Sequence, residues 1–202
     1  MAKLRKWRFA LGVLLPLALL ESAPSAGISD GPMYTDQSEL RPPTNYREWV
    51  FLSSGLGMTY GPLAEASQGQ PMFDNVFVNS RSYRSFLETG HWPDKTVFIL
   101  EVRGSKSHGS INNGGNFQSE IMGVEAEVKD SAAKSGEWTF YSFSSSSGKF
   151  DGPATAIPRT ASCYSCHASS AAVENTFVQF YPVLYGIAER KGTLNPGFQK
   201  HR

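Results

Sequence analysis

Thr96-Val97-Phe98-Ile99-Leu100-Glu101-Val102-Arg103 is rich in β-branched, aliphatic and aromatic residues, with Pro93-Asp94 before it and Gly104 after it. Such residues suit a pleated, half-buried surface, so this stretch predicts a strand. Downstream, Phe117 to Val128 and Glu137 to Phe143 read as two more strands, separated by the polar turn Lys129 to Gly136. Upstream, Phe73 to Val78 is a shorter strand with alternation at Val76 and Val78. Asn79 then caps an expected helix through Leu87, with Tyr83, Phe86 and Leu87 inward and Gly90 as its stop. The strands follow one another without alternating with helices. The expected fold is therefore α+β, a mainly antiparallel β-sheet with a few flanking helices.

The rest of the chain fits around this sheet. Gly27 to Pro43 reads as an irregular N-terminal arm. Thr44 resembles an N-cap, and Tyr46, Trp49, Val50 and Leu52 fall near helical spacing over Asn45 to Leu52. Ser53 to Pro71 and Gly104 to Asn116 are loops by composition, as is Ser144 to Pro153. Ala161 to Val173 reads as a short helix, Phe177 to Tyr181 as a strand and Leu184 to Lys191 as a closing helix. The domain should run over residues 44–190, with 191–202 as a tail. There are no repeats and no heptads.

Within the expected helix lies Cys163-Tyr164-Ser165-Cys166-His167, a C-x-x-C-H run. That spacing is the attachment signature of c-type haem. Two thiols three residues apart can add to the vinyl groups on one porphyrin edge, and the adjacent histidine then supplies the axial imidazole. One haem c, covalent through Cys163 and Cys166 with His167 on the iron, is the cofactor this motif implies. A structural zinc site wants four Cys or His ligands, usually in two clusters. Here Cys163 and Cys166 are the only cysteines, and His91, His108 and His201 show no ligand spacing among themselves. A thioredoxin-like pair belongs after a strand near the start of a βαβ unit. A disulfide across this spacing would restrain little of the chain. A four-helix bundle also hosts late C-x-x-C-H motifs, but the strand-like runs argue against it.

At 202 residues, 40% hydrophobic and 12% aromatic, the chain suits one domain with a sizeable core. A net charge of +1 gives no argument for a nucleic-acid partner. Residues 1–26 read as a secretory signal peptide: Lys3, Arg5, Lys6 and Arg8 precede an apolar run from Phe9 to Leu20, and Ala23-Pro24-Ser25-Ala26 supplies small residues for cleavage. The apolar run is shorter than the roughly 18 residues of a transmembrane helix, so no membrane association is expected after cleavage. The mature chain should begin between Pro24 and Gly27. Because c-type haem is attached after export in bacteria, the expected location is the periplasm.

Several motifs recur, in order, in one family. They are Asn45-Tyr46-Arg47-Glu48-Trp49-Val50, Val76-Phe77-Val78-Asn79 leading to Tyr83, and Thr89-Gly90 before the long strand. Gly123-Val124-Glu125-Ala126 with Val128-Lys129-Asp130 and Trp138-Thr139-Phe140-Tyr141 follow, then the C-x-x-C-H run and Phe177 to Leu184. From Thr44 to Leu184 the chain resembles cytochrome P460, the hydroxylamine-oxidising c-type cytochrome of ammonia and methane oxidisers, and its sheet-rich relatives, the cytochromes c′-beta. The resemblance implies a sheet-rich homodimer around a five-coordinate haem with His167 as proximal ligand. Members that oxidise hydroxylamine carry a lysine bonded to the porphyrin, just before a glutamate in the long strand; the matching pair here is Leu100-Glu101. Lys95 and Lys106 flank that strand. A pocket arginine of the enzyme falls at about Asp74, whereas its proton-relaying glutamate matches Glu125.

If Leu100 faces the haem, strand alternation puts Phe98 and Thr96 on the same side. Leu100 and Phe98 would then make a largely apolar distal face without a sixth ligand, suited to nitric oxide; simple core packing is the other reading of both. Glu125 is a candidate proton relay, or else an exposed carboxylate or a partner of Lys129. Two functions of different class follow. One is an exported cytochrome that binds a small nitrogen oxide or passes electrons, with another cytochrome as electron partner. The other is an enzyme oxidising hydroxylamine through Glu125. A third arrangement caps the iron with Met58, Met72 or Met122, giving a six-coordinate His/Met electron carrier.

Overall fold

The computed structural model describes residues 30–60, 69–133, 138–143 and 150–198. The expected signal peptide and its cleavage site lie outside the described residues, as do residues 61–68 and 144–149 of two expected loops. Five strands form one antiparallel meander in sequence order: β1 Val50–Leu56, β2 Phe73–Val78, β3 Thr96–Lys106, β4 Phe117–Lys129 and β5 Trp138–Ser142. Three helices accompany it: α1 Ser80–Thr89, α2 Ser162–Ser170 and α3 Pro182–Lys191. The α+β reading holds.

β3 is central, paired with β2 and β4, and runs past Arg103 to Lys106. α1 follows β2 directly and ends at Gly90, which takes the left-handed conformation at φ 77° that closes a helix at low steric cost. Asn79 stands at the N-cap but makes no capping bond with its side chain. Instead its amide donates to the Lys95 carbonyl at 3.2 Å and accepts from the Val97 N–H at 2.9 Å, tying the start of α1 to the start of β3.

Two expectations are corrected. Only Tyr46–Glu48 makes a helical turn, of 3-10 type, where a helix over Asn45 to Leu52 was expected. From Val50 onward the chain pairs with β2, and a strand edge satisfies every second backbone group that a lone short helix would leave open. Likewise Phe177 to Tyr181 is not a strand. Val178–Phe180 is a 3-10 turn that feeds α3, whose first residue is Pro182. No sheet edge is offered there, because Tyr141 on the outer side of β5 already bridges Ala156.

The register sorts side chains onto two faces. Val78, Phe98, Glu127 and Phe140 are cross-strand partners in one row, and Val76, Leu100, Glu125 and Ser142 in the next. At the first row the face is closed by an aromatic core in which Phe86, Trp92, Phe98, Trp138 and Tyr181 meet Leu184 and Ala188 of α3. Val97, Ile99, Val124, Ala126 and Val128 point the other way, onto Tyr46, Trp49, Tyr141 and Leu40. Leu40 belongs to the arm, which is therefore fastened: it bridges Tyr34 and Ala154. The tail also contributes, with Leu194 and Phe198 packed on the aromatic core.

Candidate haem site

α2 carries the C-x-x-C-H motif. Its sequence, SCYSCHASS, has little helical amphipathicity, so tertiary contacts must hold it. Tyr164 supplies them. Its hydroxyl donates to the Ile157 carbonyl at 3.0 Å and accepts from the Phe140 N–H at 3.3 Å, and its ring meets Phe140 edge-on at 4.7 Å. With Tyr164 turned to the sheet, Cys163, Cys166 and His167 occupy i, i+3 and i+4 positions on another stripe of the helix. Both thiols are free; Cys166 is exposed and Cys163 half-buried.

His167 is held on three sides. Its ring sits edge-on to Phe140 at 4.5 Å and tilted against Phe177 at 4.4 Å. Nδ1 lies 2.7 Å from the Asn175 carbonyl oxygen and 3.4 Å from Oε1 of Glu127. A carbonyl can only accept, so Nδ1 carries the hydrogen. Burial disfavours a charged imidazole, but the nearby carboxylate of Glu127 and the hydrogen bond to the Asn175 carbonyl outweigh it and raise the pKa. Nε2 has no hydrogen-bond partner among the described residues.

Three carboxylates share the sheet face below α2. Glu127 is largely buried, and its Oε1 accepts no hydrogen bond. Burial raises its pKa, with His167 opposing. Glu125 stands directly opposite Leu100; surrounding protein atoms and the charge of Asp74 raise its pKa, and His167 lowers it. Asp74 is likewise raised by burial. Tyr60, although 56% exposed, is pushed up to about 12 by surrounding protein atoms and by its electrostatic neighbours Asp74 and Cys166. By register Asp74, Glu125 and Glu127 share the sheet face on which His167 packs. Lys129 does not pair with Glu125; its ammonium donates to Glu174 at 2.8 Å and to the Trp92 carbonyl at 2.7 Å.

Thr96, Phe98 and Leu100 do share this face, but only Leu100 is left half-open. Thr96 is fully buried, bonded to Ser82 and the Pro93 carbonyl, and Phe98 is wrapped by Trp92, Trp138 and Tyr181. Phe98 therefore reads as core. Neither flanking lysine reaches Leu100's neighbourhood: Lys95 pairs with Asp130, and Lys106 is exposed beside Glu120. Among the methionines, Met72 and Met122 are exposed and the sulfur of Met58 accepts from the Tyr60 hydroxyl.

Sequence reasoning missed Glu127, Asn175, Phe140 and Phe177. Strand period alone could have found Glu127, two residues beyond Glu125 and hence on the same face. Nothing in the sequence marks Asn175, which acts through its backbone.

The family model for cytochrome P460 matches residues 43–178, well over half of the chain. The chain belongs to the cytochrome P460 family. It is thus a haem cytochrome of that type. No curated protein matches the chain. The residues present fit the group that a cytochrome P460 binds. Two free thiols and an imidazole lie on adjoining positions of one short helix, and the imidazole keeps Nε2 for a metal because its other nitrogen is committed to a carbonyl. Among the described residues no cluster of three or more His, Cys, Asp or Glu side chains competes as a bare metal site.

Proposed function

We propose that the protein is an exported, periplasmic cytochrome with one haem c, attached through Cys163 and Cys166 and ligated by His167, whose open distal side takes nitric oxide. One observation supports this most: an imidazole fixed at Nδ1 faces a sheet surface whose open hydrophobic residue is Leu100, where hydroxylamine-oxidising members have a lysine. An aliphatic side chain there supplies neither a sixth ligand nor a cross-link. The haem would supply one-electron chemistry and a vacant coordination position. The chain's part is to orient His167, to keep Leu100 and Val76 beside the ligand, and to pass electrons to another cytochrome, working as a homodimer.

The absorption spectrum of the purified ferrous protein, with and without nitric oxide, tests this reading. An ordinary high-spin c-type spectrum that changes on adding nitric oxide is expected. A spectrum indifferent to nitric oxide would overturn it in favour of a methionine-capped carrier.

Glu125 favours a second reading, hydroxylamine oxidation. A carboxyl group that is exposed to solvent, yet raised by surrounding protein atoms and by Asp74, is suited to accept the protons that oxidation releases. Sustained reduction of an artificial acceptor by hydroxylamine, lost in Glu125→Ala with haem retained, would establish it.

A further inference from the structure

The carbonyl that orients His167 belongs to a short loop, 171–176, between α2 and the 3-10 turn before α3. This loop is fastened by residues far from it in sequence. Asn195 in the tail makes four bonds to it. Its backbone N–H donates to Ala172 at 2.7 Å, and its side-chain amide donates to the carbonyls of Ala171 at 2.9 Å and Glu174 at 2.7 Å. Its side-chain oxygen accepts the Glu174 N–H at 2.9 Å.

Glu174 has φ 51°, a left-handed conformation that costs a non-glycine residue roughly 1–3 kcal/mol unless its surroundings impose it. They do. Its carboxylate accepts from the Trp92 N–H at 3.2 Å and from Lys129 at 2.8 Å, with His91 at 3.5 Å. The peptide plane after Asn175 carries both the Asn175 carbonyl and the Thr176 N–H, and a peptide plane moves as one body. Its N–H donates to Val173 at 2.8 Å while its carbonyl faces His167. The Thr176 hydroxyl in turn accepts from the Trp92 indole at 2.8 Å.

We propose that Asn195 and Glu174 form a clamp that aims the Asn175 carbonyl at His167, so that Asn195 is a positioning residue for the axial ligand. Asn195 lies beyond residues 43–178, so the family match does not carry this role. The clamp matters chemically because a firm acceptor on one imidazole nitrogen raises the basicity of the other. Of the two acceptors near Nδ1, Glu127 is the more distant. It stands on β4, and its oxygen is already 3.4 Å away.

The inference rests on His167 as the ligand, and the test separates the two. The histidine–iron stretching band of the ferrous holoprotein is recorded by resonance Raman, with the midpoint potential and the melting temperature. In His167→Ala the band should vanish; a band that persists overturns the ligand assignment and the clamp with it. In Asn195→Ala the band should move to lower frequency. The potential should rise by about 59 mV, the one-electron equivalent of the tenfold effect at the lower end for partners of a metal ligand. Glu174→Gly, which suits the left-handed backbone while removing the carboxylate, should shift the band the same way. Glu174→Gln, which keeps an acceptor for the Trp92 N–H, should leave it near the wild-type position. A melting temperature lowered in Asn195→Ala and Glu174→Gly with band and potential unmoved would overturn the clamp and leave a purely structural role.

Discussion

Leu100 and Glu101 are neighbours on β3, yet they face opposite sides of the sheet and opposite chemistry. Glu101 is almost fully buried and surrounded by donors: the Tyr46 hydroxyl, the guanidinium groups of Arg47 and Arg103, and the Asn75 amide at 3.5 Å. Burial alone would raise its pKa, but the bonds from Arg103 and Tyr46 and the two cationic charges hold it below the ordinary range. Across the sheet, Asp74, Glu125 and Glu127 are all raised, and His167 is the group that opposes the rise at the two glutamates. Lys129, the base that sequence offered to Glu125, is spent on the loop that orients His167. A carboxylate that the fold satisfies holds structure together. Carboxylates raised in pKa beside the helix that carries the haem motif mark the proposed working face.

The largest expected effect breaks the working face alone. Cys163→Ala or Cys166→Ala should yield little mature holoprotein, read by haem absorbance against protein mass, because one of the two proposed thioethers is lost. Full loading in both variants would remove the attachment assignment.

Next comes the structural face. Glu101→Ala removes the buried acceptor of an ion cluster in which Arg47 is half-exposed and Arg103 keeps its bond to the Ser119 carbonyl, which should cost about 1–3 kcal/mol of unfolding free energy. The haem spectrum of the folded fraction should not change, since Glu101 points away from α2. A changed axial band would mean that the two faces are coupled through β3.

The same cluster sets an acid limb. A carboxyl group whose folded pKa is depressed contributes stability that is present above its unfolded value, about 4.3 for Glu, and lost as pH falls through the folded value. Asp130, lowered by Lys95 and the Ala132 N–H against its burial, acts in the same sense. Stability should therefore fall below about pH 4, and Glu101→Gln should flatten that limb. An unchanged pH profile in Glu101→Gln would place the acid sensitivity elsewhere.

This contrast was only half legible in the sequence. β2, α1, β3, β4 and β5 follow from β-branched runs, glycine and turn residues, and the thiols and His167 from their spacing. The face of Leu100 and Glu125 follows from strand period. Phe98 was readable only as sharing that face, because its burial depends on Trp92, Trp138 and Tyr181, which sequence does not bring together. Asn45 to Leu52 misled because a 3.6-residue pattern over one turn cannot be told from a strand start. The orientation of His167 was invisible, since it depends on a backbone carbonyl and on a tail residue, Asn195.

The smallest effect sharpens the comparison at its centre. Leu100→Ala removes a half-buried side chain between Val76 and Glu125, so it should cost only about 1–2 kcal/mol, below the loss for a fully buried leucine. The consequence for function is more telling than the consequence for stability. If Leu100 crowds the ligand position, the shorter side chain should speed nitric oxide dissociation from the ferrous protein while leaving the unligated spectrum in place. An unchanged dissociation rate would mean that Leu100 is sheet floor rather than pocket wall. Its proposed part in function would then rest only on what it is not, a lysine.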